Sequence, residues 1–201
     1  AAILGASGTP GVSMAVVSDL RTGNPTSNDE SSGGDAAAAL IFGDDDDAPV
    51  LAHALGRAAS TGEFLDRYRL PGESSSRIWE ERFGEQAYLA LAEDAIERAT
   101  KAADVGIEDV DKVVIAGLHA RAVRGLSKIA GDKLVDDLTG NIGNPGAAQL
   151  PLLVASVLDQ AAPEETILCV HLADGAYASV IRTTDAIATY TPFATVESQN
   201  W

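Results

Sequence analysis

The chain has 201 residues, 46% of them hydrophobic, which suffices for a packed core without supplying the long apolar run that a bilayer-spanning helix needs. Thirty acidic residues against 14 basic ones give a formal charge of −16, a field that repels phosphate backbones and excludes nucleic acid as an expected partner. The single cysteine, Cys169, cannot close an internal disulfide, and the first residues lack the basic region of a secretory signal, so a cytoplasmic protein with no membrane association is expected.

Val12 to Val17 reads as a short apolar strand ending in Ser18-Asp-Leu-Arg, and Thr22 to Ser32 has the composition of an exposed loop. Gly33-Gly-Asp closes that loop. Ala36 to Phe42, flanked by glycines, reads as a buried strand, and Gly43 to Pro49, which holds the acidic run Asp44 to Asp47, as a solvated turn. Val50 to Ala59 is the next strand by pattern. Gly62 to Arg77 shows no sustained period and carries Phe64, Tyr68, Pro71 and Gly72, the marks of an ordered loop with an aromatic anchor.

Trp79 to Ala103 carries the longest helical signal, with Phe83, Ala87, Leu91, Ala95, Ala99 and Ala102 along one face and Tyr88 one residue off that stripe. Ser76 is its expected N-cap and Gly106 its stop. The run from Val113 to Ala130 then combines an apolar strand, a turn at Gly117, His119, and a helix through Ala122, Leu126 and Ile129 that Gly131 ends. Its unbroken apolar character predicts a parallel strand buried on both faces. His119 therefore falls at a strand's carboxyl end, where ligands collect in open α/β sheets. Lys133 to Leu138 reads as a short strand. The glycine-rich stretch from Thr139 leads into an apolar helix through Leu158 and Ala161, with Asn144 as N-cap and Pro145 as first helical residue. Thr166 to Leu172 and Ala176 to Arg182 make a hairpin turned at Asp174-Gly175, and Asp185 to Trp201 an irregular tail.

Few side chains in this order carry chemistry. His119 is either a turn residue or a hydrogen-bond donor in a site, and Asn144 a helix cap, a donor, or both. Arg121, Arg124 and Lys128 share a stripe of the helix after His119, which is either a solvated face or a contact for phosphates. Cys169 sits in an apolar run where a small buried side chain is expected. His53 and His171 have no ligating partners at useful spacing, so no metal site is expected.

The order of helix, strand, His119, helix, Asn144, helix and glycine-turned hairpin resembles the carboxyl half of the thiolase superfamily, in its ketoacyl-synthase III and hydroxymethylglutaryl-CoA synthase branch. The residues that carry the resemblance are His119-Ala-Arg-Ala, Gly143-Asn144-Pro-Gly-Ala-Ala and Leu172-Ala-Asp-Gly-Ala. Upstream, Ser18-Asp-Leu-Arg, Gly33-Gly-Asp-Ala-Ala-Ala and Arg82-Phe-Gly-Glu-Gln-Ala-Tyr88 are similar to the synthases that pair with an OB-fold protein. The resemblance implies a layered α/β/α/β/α thiolase-like fold, with 1–48 as the end of a partial amino half, 49–185 as the carboxyl half and 186–201 as the tail. It implies carbon–carbon bond formation on acyl-CoA, as in hydroxymethylglutaryl-CoA synthase, with His119 and Asn144 as catalytic N–H donors. Tyr88, Arg121, Arg124, Lys128 and Gly175 become substrate contacts by the same resemblance. A coenzyme A thioester is then the substrate, with no other cofactor, and an acyl carrier, a homodimeric copy and an OB-fold protein are the implied partners.

Two features depart from the family pattern. His-Ala-Arg-Ala replaces the more common His-Gln-Ala-Asn or His-Gln-Pro-Asn, and Cys169 matches no nucleophile position. The family's nucleophilic cysteine and general acid precede the strand matched by Val12 to Val17, so on this reading they lie ahead of residue 1 and the isolated chain is inactive and prone to aggregate. The alternatives are a retro-aldolase on hydroxyacyl-CoA, which needs no such cysteine, and a non-catalytic subunit that binds a partner through an exposed sheet edge.

Overall fold

The computed structural model describes residues 3, 6, 8, 10–43, 48–73 and 75–191. The expectations for Asp44 to Asp47 and for the tail beyond residue 191 lie outside the described residues. Strands β1 (Ser13–Asp19) and β2 (Ala36–Phe42) form an antiparallel ladder that pairs Ser13 with Phe42 and Asp19 with Ala36. The connection between them is not all loop. It includes a short helix, α1 (Asn28–Ser32), because Ser27 Oγ accepts the Glu30 N–H and Asp29 and Glu30 place negative charge in the first turn.

After β3 (Ala52–Ser60), the described residues of 61–80 form a loop around a two-residue ladder of β4 (Arg67–Tyr68) and β5 (Arg77–Ile78). Asp29 of α1 joins this loop to the one after β1, with Oδ1 3.0 Å from Arg21 Nη2 and Oδ2 2.5 Å from Arg67 Nη1. Then follow α2 (Glu81–Ala103), β6 (Lys112–Gly117), α3 (Ala120–Ala130), α4 (Thr139–Ile142), α5 (Gln149–Leu158), β7 (Thr166–Leu172) and β8 (Ala176–Thr183).

The main sheet is mixed, in the order β3-β8-β7-β6, with β6 and β7 parallel and the other pairs antiparallel. Both faces of β6 and β7 are covered, which is why these two strands are apolar throughout. Val113, Ile115, Leu168, Val170 and Leu172 face α2 and α3, and Val114, Ala116, Ile167 and Cys169 face α5. On its other side α5 packs against β2, so the described layers run helices, four-stranded sheet, helix, two-stranded ladder. No helix among the described residues is long and apolar enough to cross a membrane.

Several local expectations are corrected. The buried line of α2 is Gly84, Tyr88, Ala92, Ala95 and Ala99, one position later at its start than the stripe through Phe83 and Ala87; Phe83 is 60% exposed and stacks on Trp79 with ring centroids 5.8 Å apart. Small residues win this face because the helix lies close to β3. A methyl group on Gly56 would come within 2.4 Å of the Ala99 carbonyl oxygen and 2.5 Å of the Ala103 nitrogen. Glu80, not Ser76, caps the start of α2, and Asp104, in the left-handed region at φ 53°, ends it ahead of Gly106. Ile129 of α3 is exposed rather than core. Residues 133–138 form no strand: a 3-10 turn over Gly131–Lys133 leaves a single bridge from Leu134 to Val113. The helix expected from Pro145 begins at Gln149, after a 3-10 turn over Gly146–Ala148.

Gly56→Val should therefore destabilise the fold by roughly 3 kcal/mol or more, since its Cβ alone already meets the Ala99 carbonyl and the Ala103 nitrogen and no rotamer relieves that; equilibrium urea unfolding with an unchanged m-value would measure it. His171 gives a second test. Burial lowers its pKa from 6.5 to about 4, so the unfolded chain takes up the proton first and stability must fall as pH drops from 6.5 towards 4. The loss should amount to roughly 2–3 kcal/mol at the lower end, and His171→Gln should flatten that part of the stability–pH curve.

Candidate active site

The site is built on the end of β6. Gly117 closes the strand where β7 comes very near, since a methyl group there would stand 2.9 Å from the Leu172 carbonyl oxygen. Its peptide groups are held by side chains from the α5 layer. Gln149 Oε1 accepts the Gly117 N–H at 3.1 Å, and Asn144 Nδ2 donates to the Gly117 carbonyl at 2.9 Å. Asn144 is itself fixed by three further bonds: Oδ1 accepts the Gly146 N–H at 2.9 Å, its N–H donates to the Ser32 carbonyl at 2.8 Å, and its carbonyl accepts the Gly34 N–H at 3.0 Å. Asn144 is not the N-cap expected of the apolar helix, which starts from Ala148; its Oδ1 instead bonds the first residue of the 3-10 turn ahead of it. One of its two amide N–H donors remains beyond the bond to Gly117.

His119 follows two residues later as the N-cap of α3, with Nδ1 accepting the Ala122 N–H at 3.1 Å. An imidazole nitrogen that accepts carries no proton, so the neutral ring holds its proton on Nε2. That edge is buried: His119 is 6% exposed and Nε2 has no partner among the described residues. It faces α2, where a methyl group on Gly84 would lie 2.6 Å from Nε2, and the Tyr88 ring sits 5.4 Å from the imidazole, centroid to centroid.

Tyr88 stands in the buried line of α2 and not beside it. Its hydroxyl donates to Asp66 Oδ2 and accepts the Asp174 N–H, both at 3.3 Å. Burial first, and the Asp66 carboxylate second, push the phenol above its ordinary pKa, so it remains a neutral donor. Phe64 meets the Tyr88 ring edge-on at 4.9 Å, which is the aromatic anchor expected of the 62–77 loop.

The other expected contacts disperse. Arg121 is bonded to Glu85 of α2 at 2.9 Å, an ion pair between helices. Arg124 and Lys128 are exposed and make no ion pair among the described residues. Gly175 turns the β7–β8 hairpin at φ 142° and lines a cleft of about 380 Å³ with Val17, Ser60, Leu150, His171 and Tyr177, a cleft that neither His119 nor Asn144 lines. Cys169 is buried, and burial raises its thiol pKa to about 12, so it offers no thiolate. No group of three His, Cys, Asp or Glu side chains among the described residues could hold a metal ion.

Asp66, Gly84 and Gln149 are parts of this arrangement that sequence reasoning missed. Gly84 had a usable signal, a glycine inside a strong helical pattern and four residues before Tyr88 on the same face. Gln149 sits at the start of an apolar helix, where a lone amide hints at a buried partner. Asp66 carries no local signal, since its partners come from distant elements.

No family model matches the sequence, and no curated protein matches it. Solved structures do match the fold. An HMG-CoA synthase complexed with CoA is similar with a TM-score of 0.71 at 17% identity, over 89% of this chain and 50% of its own. A variant of Xanthomonas campestris OleA gives 0.68 at 16% identity, over 86% of this chain and 57% of that one. The cerulenin-bound form of the same protein gives 0.66 at 16%, over 87% and 57%. The chain thus spans between half and 57% of the length of these structures, and over that span it has the layered α/β fold of thiolase-type condensing enzymes.

Proposed function

We propose that the protein containing this chain is an acyltransferase that forms carbon–carbon bonds between acyl thioesters, in the manner of hydroxymethylglutaryl-CoA synthase. One observation carries the reading: the buried, unpartnered Nε2–H of His119 at the carboxyl end of β6. In such a condensation the carbanion formed beside one thioester carbonyl attacks a second acyl carbonyl, and negative charge develops on oxygen at both stages. A fixed N–H donor in a water-excluded place stabilises that charge without metal or reorganisation. On this reading His119 supplies the donor, while Asn144 holds the strand end that aims it and contributes its remaining amide N–H.

The same proposal takes 49–185 as the carboxyl half of the fold and 1–48 as the end of the amino half, with the acyl nucleophile contributed from elsewhere in the protein, since Cys169 is sealed in the core. Exposed Arg124 and Lys128 are left to meet the phosphates of coenzyme A or an acyl carrier, while Arg121 is occupied by Glu85. Tyr88 acts behind His119 and not as a direct substrate contact. A homodimer and an OB-fold partner belong to this reading through the resemblance alone.

His119 has two separable jobs, and two substitutions divide them. His119→Ala removes both the helix cap and the Nε2 donor, and should cost about 1 kcal/mol of stability together with a loss of turnover on the order of 10²–10³-fold. His119→Asn keeps a good capping side chain but places no donor at Nε2, so stability should return to near the wild-type value while turnover stays low. Melting temperature and acyl-CoA condensation, measured in the full-length protein, give the two readouts. Wild-type turnover in His119→Asn would end the proposal.

A further inference from the structure

Two buried polar atoms near the site lack partners, and they are opposite in kind. His119 Nε2 bears a proton and has no acceptor; Asp66 Oδ1 has lone pairs and no donor. Both residues are almost fully buried, at 6% and 5% exposure. They border the same small space over the Cα of Gly84, where a methyl group would lie 2.6 Å from Nε2 and 3.6 Å from Oδ1. Any residue other than glycine at this point of α2 would separate them.

The remaining contacts of both side chains point the same way. Asp66 Oδ2 is held by the Tyr88 hydroxyl, which is held in turn by the Asp174 N–H at the β7–β8 turn, and the Asp66 carbonyl accepts the Trp79 N–H at 2.8 Å. On the far side, His119 Nδ1 is committed to the Ala122 N–H. Arg121, two residues after His119, is paired with Glu85, the residue after Gly84. The other buried polar atoms without a hydrogen bond among the described residues, Arg21 Nη1, Arg67 Nε and Glu165 Oε2, are not among those nearest the space over Gly84. There one donor and one acceptor are left open, and a buried polar group without a partner is far costlier than one that is bonded.

We infer that Asp66 is a positioning residue for His119: its Oδ1, directly or through one water, accepts a hydrogen bond from Nε2–H in the resting protein and so fixes which ring nitrogen is protonated and where it points. The assembled line runs from Asp174 N–H through Tyr88 and Asp66 to His119 and ends on the first turn of α3, tying the hairpin, the 61–80 loop, α2 and α3 to one imidazole. Gly84 is the position that permits it. The inference rests on the reading of His119 as a donor, and it gives that donor a defined orientation before a substrate oxygen replaces Asp66.

Imidazole ¹⁵N NMR tests this without substrate, so its outcome is independent of whether acyl transfer occurs. The sequence has three histidines, and His53 and His171 can be assigned by substitution. The expected wild-type spectrum shows His119 with its proton on Nε2 and that proton protected from exchange with solvent. Asp66→Leu, which has no acceptor, should speed this exchange about tenfold or more, and Gly84→Ala, which wedges the pair apart, should do the same. Asp66→Asn, which retains an oxygen, should restore protection. A proton on Nδ1 in the wild type, an unprotected Nε2 proton, or protection in Asp66→Leu equal to wild type would each overturn the inference. Should Asp66→Leu fail to fold, the wild-type and Gly84→Ala spectra decide it.

Discussion

The arrangement depends on how one glycine is held. Where β6 ends, Gly117 receives a side-chain bond on each of its polar groups, from Gln149 on the N–H and from Asn144 on the carbonyl. Both come from the segment that opens α5, so the layer on one face of the sheet fixes the strand end from which His119 departs to the other face. Loss of either bond would leave a peptide group unsatisfied at a place with little water, which is a larger penalty than the bond's own net contribution. Asn144 is in turn bonded to Ser32 and Gly34, so the β1–β2 connection is tied to the same point. The candidate site is therefore a junction of layers and not a feature of one loop.

Helix α2 is placed by absences of side chain. Gly56 lets β3 approach the helix backbone at Ala99 and Ala103, and Gly84 lets the helix approach the imidazole of His119. Between these points the helix presents mostly alanines, with Tyr88 as the one large buried side chain. Such a face contributes less apolar area than a leucine-rich one, but it brings backbone close to the sheet and carries a polar hydroxyl to the Asp66 carboxylate. Charged residues of α2 add two ties, Glu85 to Arg121 of α3 and Arg98 to the Ala59 carbonyl of β3.

Much of the architecture was legible in the sequence because both faces of β6 and β7 are covered, and a strand buried on both faces announces itself as an unbroken apolar run. The extent of Ala36–Phe42, the glycine that ends α3 and the hairpin turn at Asp174-Gly175 were readable for equally local reasons. The errors also have physical causes. The stripe of α2 was misplaced because Phe83 is large and apolar, whereas packing selected the small residues one position on. The strand expected over 133–138 was pre-empted by a 3-10 turn, and the short helix within 22–32 depends on a Ser27 cap that composition alone conceals. At the site, His119 and Asn144 were legible from their places after a strand and before a helix. Asp66 was not, because nothing near it in sequence reveals that Tyr88 and His119 will meet it.

Asp29 lies between Arg21 and Arg67, one carboxylate shared by two guanidinium groups and largely withdrawn from solvent. The chain as a whole bears 30 acidic side chains against 14 basic ones, and the mutual repulsion of the exposed acids is the kind of force that dissolved ions weaken most. A pair this sheltered is screened far less. Adding salt therefore relaxes the repulsive shell while leaving the clasp between the two loops nearly intact, so the region around the strand end is held in brine by the same charges that hold it in dilute buffer.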